Sequence, residues 1–249
     1  MTIAWTLIPL TFLLPYVDPT RAPYFDLTQV ISQLSYWFTQ SGGKYGAPLV
    51  AIVVLIRLVS CCDITSRQKM KLSIIVVLIA AICAGGGAAL NEDVLKTRLK
   101  IPRPNIVWLA GDDGAGPLGM TAEEFYANGD KKTRSLVLSN VLNSRPSPVS
   151  LSRSIEAHWI EETGFSLPSG HAFAAMFFAT FFLMLAAAYL SFQKLWLFYA
   201  LLPWALAVCY SRPILRVHTP MDITIGGLQG LLLGLLAWLV TRLLLRKFC

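Results

Sequence analysis

Apolar runs about as long as a bilayer is thick decide what this chain can fold into. A helix needs roughly 20 such residues to cross the hydrocarbon core. Helices suit that medium because they satisfy every backbone polar group internally. Five runs, at 47–62, 72–90, 171–190, 195–210 and 223–245, read as spans. A sixth, at 3–17, is about one turn short. It has no lysine or arginine before it and no small-residue cleavage site, so it reads as a first span rather than a signal peptide. In residues 24–43, Tyr24, Phe25, Leu27, Val30, Ile31, Leu34, Trp37 and Phe38 recur at helical spacing, which predicts an amphipathic helix on the membrane surface. The expected fold is all-α and integral to the membrane, with six transmembrane helices and a small helical insert between the third and fourth.

Composition agrees. Of the 249 residues, 55% are hydrophobic and 14% charged, where soluble domains carry about 25% charged residues. Mean hydropathy is +0.58. The net charge of +7 then points to orientation, anionic headgroups or a phosphate site. No basic stretch alternates with aromatics as a nucleic-acid surface would. Cys61, Cys62, Cys83, Cys209 and Cys249 lie in or beside apolar segments without zinc-site spacing, and read as small hydrophobes.

Lysine and arginine in short loops set orientation. Arg67, Lys69, Lys71, Lys194, Arg246 and Lys247 share one side by parity, the expected cytoplasmic side; Arg21, Lys44, Arg212 and Arg216 oppose them. Three parts follow: 1–104 with the first three spans and the surface helix at 24–43, 105–168 as a soluble insert on the outer face, and 169–249 with the last three spans. Within the insert, 121–128 and 133–143 read as short helices. Asp112 and Asp113 read as a glycine-flanked turn rather than a divalent-ion site. Residues 111–119 lack the lysine and serine of a phosphate loop. Gly226, Gly230 and Gly234 recur every four residues, a spacing that permits close helix packing. A lipid-facing dimerisation stripe is the other reading.

Three clusters place costly polar groups at the ends of apolar runs, where such groups are functional candidates by default. The first is Lys96 with Arg103-Pro104; a basic edge facing lipid headgroups would look the same. The second is Pro168-Ser169-Gly170-His171. Ser169 suits an N-cap, Gly170 lets a ligand approach the backbone, and a helix N-terminus binds anions. An ordinary cap with a chance histidine is the alternative. The third is Ser211-Arg212, His218 and Asp222. Thr219-Pro220 reads as N-cap and N1, which puts Asp222 at N3, within reach of His218. A carboxylate on one ring nitrogen fixes the tautomer and leaves the other free to attack. Alternatively, Asp222 only complements the helix dipole. Two spans separate the second and third clusters, and none separates the first and second, so all three share one membrane face.

Together the clusters spell K-x6-RP, PSGH and SR-x5-H-x3-D, in order and at full spacing. In these residues the sequence resembles the type 2 phosphatidic acid phosphatase superfamily. Residues 103–109, Glu124-Phe125-Tyr126, His158-Trp159 and Glu162-Thr163-Gly164-Phe165 resemble its bacterial phosphatidylglycerophosphatase branch, and the likeness runs from about residue 24 onward. The resemblance implies that His218 is the nucleophile, oriented by Asp222, and that His171 is the general acid. It implies that Lys96, Arg103, Ser169, the Gly170 backbone and Arg212 hold the phosphoryl oxygens, with neither metal nor other cofactor. Glu162 is expected near His171 as a modulator, and His158 as structural or headgroup-facing. One departure stands out: Arg216 occupies a position, two before the nucleophile, where the family commonly has glycine. The extra cation bears on headgroup preference or local backbone shape.

The implied activity is hydrolysis of a lipid phosphate through a phosphohistidine. Phosphatidylglycerophosphate is the leading substrate, with phosphatidic acid and undecaprenyl pyrophosphate beside it. The implied place is a bacterial inner membrane with the site on the periplasmic face, and no obligate protein partner is called for. A dedicated undecaprenyl pyrophosphate phosphatase, a lipid phosphotransferase, and a non-catalytic transporter or scaffold remain open alternatives.

Overall fold

The computed structural model describes residues 27–144 and 149–246; the expected span at 3–17 lies outside them. Among the described residues every regular element is a helix. In chain order these are α1 (Val30–Ser41), α2 (Gly46–Cys61), α3 (Ser66–Ala89), α4 (Lys96–Leu99), α5 (Pro104–Ala110), α6 (Ala122–Ala127), α7 (Lys131–Leu142), α8 (Arg153–Glu161), α9 (Gly170–Tyr189), α10 (Phe192–Tyr199), α11 (Leu201–Ile214) and α12 (Pro220–Arg246). A π-turn, Leu90–Leu95, joins α3 to α4, and a 3-10 turn, Asp112–Gly114, occupies the expected glycine-flanked turn.

Four helical stretches are long and apolar enough to cross a membrane: Ser66–Ala110, Gly170–Tyr189, Phe192–Ile214 and Pro220–Leu245. α1 and α2, bent by 67°, make a fifth if taken as one broken span. The described chain therefore carries four or five candidate spans. Their hydropathy follows the sequence runs, but the ends differ. The run at 72–90 continues through the π-turn to Leu99, so Lys96 rides on a helical extension instead of following the span. Within the segment 24–43 the described residues form α1, which leaves Val30, Leu34 and Trp37 exposed on successive turns. Both expected insert helices form as α6 and α7; α8 had no sequence expectation behind it.

Contacts divide the chain into two units, each discontinuous in sequence. The first takes in residues 27–37, 95–168 and 210–224. Its core holds Ile106, Leu109, Phe125, Leu138, Ile155, Trp159, Leu215 and Val217. The second takes in residues 38–94, 169–209 and 225–246. Its core is built on α9, where Phe173, Phe177 and Phe181 stack at one-turn intervals with ring centroids 6.2 and 5.8 Å apart. The glycines of α12 pack inside this unit: a Cβ at Gly226 would strike the Ser169 backbone, and one at Gly230 the Phe173 carbonyl. Close packing, not a lipid-facing stripe, is thus what Gly226 and Gly230 serve. Of the glycines at 85–87, only Gly87 is so confined, against the Phe173 ring.

Candidate active site

Local structure presents the functional groups of the first unit. Arg103 is the N-cap of α5 with Pro104 at N1, so its backbone is extended just before the helix. Thr219 caps α12 as the sequence predicts: its Oγ1 accepts from Asp222 N at 3.2 Å, and Asp222 Oδ2 accepts from Thr219 N at 2.7 Å. That reciprocal cap points the carboxylate back toward His218. Pro213 lies inside the last turn of α11, and the chain leaves it through Arg216 at φ 64. The left-handed region costs a non-glycine residue roughly 1–2 kcal/mol, which accounts for the glycine common at this position in the resembling family.

Arg103 is 2% exposed and is used on every edge. Its Nε donates to Gly164 O at 2.8 Å and its Nη1 to Val217 O at 3.0 Å. Nη1 also lies 3.2 Å from His218 Nε2, and Nη2 is 2.6 Å from Glu162 Oε2. Its backbone N–H donates to the Tyr126 hydroxyl at 3.1 Å. Arg212 is fully buried; its Nη1 meets His158 Nε2 at 3.0 Å and its Nη2 meets Glu162 Oε1 at 3.1 Å. Lys96 is buried as well.

These contacts assign the histidine tautomers. A guanidinium only donates, so Nε2 accepts in both rings and the proton sits on Nδ1. In His218, Nδ1 lies 3.2 Å from Ser166 Oγ and 3.4 Å from Asp222 Oδ2. Ser166 Oγ donates to Asp222 Oδ2, which leaves its lone pair to accept from Nδ1–H. Ser166 therefore stands between carboxylate and imidazole as a relay. Burial, then the charges of Arg103, Arg212 and Lys96, hold the His218 pKa well below the usual histidine value, against a smaller upward pull from Glu162. The ring is neutral, with its Nε2 lone pair facing cations. His158 is likewise neutral: burial first, then Arg212, lowers its pKa to about 3. Burial raises the Tyr126 pKa, so that hydroxyl stays protonated and donates to Gly164 O at 3.3 Å.

The predicted residues Lys96, Arg103, Glu162, Arg212, His218 and Asp222 all belong to the first unit, and direct bonds link the last five. Ser169, Gly170 and His171 belong to the second unit. Ser169 is the N-cap of α9, its Oγ accepting from Ala172 N at 3.5 Å, and Gly170 opens the helix. His171 is half-buried, with Nε2 3.2 Å from where a Cβ on Gly43 would lie. Sequence reasoning missed Ser166 and Tyr126 and gave His158 no specific partner. Only the nearness of Ser166 to Pro168 hinted at the first.

A family model described as "PAP2 superfamily" matches residues 70–246. The chain belongs to the PAP2 superfamily. All three PAP2 clusters lie inside the matched span. The chain is also 28% identical over 178 residues to phosphatidylglycerophosphatase B of Escherichia coli K12, covering 71% of this chain and 64% of that protein. It therefore spans just under two thirds of that relative's length. It is 29% identical over 226 residues to phosphatidylglycerophosphatase B of Haemophilus influenzae, covering 86% of this chain and 82% of that one.

Proposed function

We propose that this chain is a membrane lipid phosphatase acting through a phosphohistidine on His218, with phosphatidylglycerophosphate as its leading substrate. The observation that carries this is the neutral, buried His218, whose Nε2 lone pair faces Arg103 while Nδ1–H is tied to Ser166 and Asp222. Family membership and the names of the relatives supply the substrate class. Phosphatidic acid and undecaprenyl pyrophosphate present the same terminal phosphoryl group.

Phosphoryl transfer asks for positioning and for positive charge on the equatorial oxygens. Lys96, Arg103 and Arg212 supply the charge, and the family resemblance adds the Ser169 hydroxyl and the Gly170 N–H. His218 Nε2 attacks phosphorus, the N–P bond forms, and the bond to the lipid oxygen breaks. His171 gives that oxygen its proton. The ring, now cationic, is stabilised by Asp222 through Ser166. Water then attacks the phosphohistidine, His171 takes the water proton, and inorganic phosphate leaves. Side-chain cations fill the role a metal would, so EDTA leaves turnover intact. The lysine and arginine distribution favours the site facing outward with residues 105–168 as an outer-face insert, and the resemblance to bacterial relatives supports a bacterial inner membrane.

The test is phosphate release by detergent-solubilised protein in EDTA, from phosphatidylglycerophosphate and from undecaprenyl pyrophosphate, with His218→Ala as control. Release lost in the variant supports the reading. No release from either lipid by folded wild type sinks it, and phosphate appearing on an acceptor alcohol would make the chain a phosphotransferase.

A further inference from the structure

Glu162 bridges two of the arginines expected to hold the phosphoryl group. Its two carboxylate oxygens bridge Nη2 of Arg103 at 2.6 Å and Nη2 of Arg212 at 3.1 Å. Arg103 donates through Nε and Nη1 to Gly164 and Val217, and Arg212 through Nη1 to His158. On both guanidiniums the Nη2 edge is covered by the same carboxylate. We propose that Glu162 is an internal anion in the phosphoryl seat, displaced by the substrate's phosphate and returning to help expel the inorganic phosphate product. This rests on the phosphatase reading and adds a residue that sets the affinity of the site.

The exchange is favoured by charge. A terminal phosphoryl group carries about −1.5 to −2 at neutral pH, against a single charge on the carboxylate, and it offers three oxygens where Glu162 offers two. Glu162 is also placed to move. It is the residue after the last of α8, with φ −96 and ψ 53, and its side chain is 16% exposed while both arginines are almost fully buried. The arginines are fixed and the carboxylate has a way out. Between turnovers it keeps two desolvated cations paired, a state otherwise costly.

An internal competitor raises the apparent dissociation constant of every anion that must displace it, whereas a carboxylate that merely holds the arginines in place lowers it. The two roles therefore predict opposite signs. The measurement is calorimetric binding of inorganic phosphate to the full-length, detergent-solubilised protein, together with KM and kcat for phosphatidic acid, in wild type and Glu162→Gln. The isosteric, neutral variant is expected to bind phosphate at least fivefold more tightly. Its KM and kcat should fall together as product lingers. Glu162→Asp keeps the charge but is a methylene short of bridging both guanidiniums, and should shift the constants the same way by a smaller factor. Weaker or unchanged phosphate binding in both variants, at unchanged melting temperature, overturns the inference alone. Absence of phosphate binding by wild type would overturn it together with the reading it rests on.

Discussion

Ser166→Ala tests the relay between Asp222 and His218. The substitution removes the hydroxyl that donates to Asp222 Oδ2 and lies 3.2 Å from His218 Nδ1. Asp222 keeps its bond from Thr219 N at 2.7 Å, so the helix cap survives and the carboxylate stays in place. What remains between carboxylate and ring is a direct separation of 3.4 Å, longer than a good N–H···O bond. A hydrogen bond to a charged group contributes about 1.5–3 kcal/mol. Here it matters most when the ring turns cationic during attack. At about 1.4 kcal/mol per decade the expected loss in kcat is about 10- to 100-fold, toward the low end if Asp222 closes the gap. Asp222→Ala removes the carboxylate itself and should cost more. Because the two side chains act in series, the double variant should be no slower than Asp222→Ala alone. The assay is initial-rate phosphate release at saturating lipid. A Ser166→Ala rate within twofold of wild type, or losses that multiply in the double variant, would refute the relay.

Four further outcomes rest on the same geometry. Arg103→Lys keeps the charge but cannot serve Gly164, Val217 and Glu162 at once; kcat should fall by ~10²-fold or more, as when one transition-state donor is lost. His158→Ala leaves Arg212 Nη1 without its acceptor and should destabilise the protein by about 1–3 kcal/mol, while His158→Gln, which keeps an acceptor, should recover most of it; both are read as melting temperatures in detergent. The folded pKa of His158 is about 3, below its unfolded value of roughly 6.5, so its contribution is complete above pH ~6.5 and is lost as pH falls toward 3, at up to about 1.4 kcal/mol per unit. His158→Gln should accordingly flatten the acid side of the stability curve. Gly230→Ala drives a Cβ into the Phe173 carbonyl and should cost about 1–3 kcal/mol, whereas Gly85→Ala, which meets open space, should not lower the melting temperature.

Most of the helices were legible because each rests on a local rule. Apolar length gives the candidate spans, and Thr219-Pro220-Met221-Asp222 is cap spacing, which by itself directs Asp222 back over the cap. Arg216 was visible as a departure, and its φ of 64 supplies the backbone reason. Ser166 was not legible: its partners lie 52 and 56 residues away in sequence, and a lone serine in a loop carries no periodicity. Glu162 was expected near His171 as a modulator, and no local rule pairs it with arginines, because Arg103 and Arg212 reach it through side-chain geometry. The helix α8, with its short apolar face around Ile155 and Trp159, was hidden by its low overall hydropathy.

The central claim is covalent. Wild-type protein mixed with lipid carrying a radiolabelled terminal phosphate, then quenched rapidly under denaturing alkali, should retain label as an acid-labile, alkali-stable phosphoramidate. Peptide mapping should place it on His218, and His218→Ala should carry none. Turnover by wild type with no trappable label, or full-rate phosphate release by His218→Ala, would contradict the account.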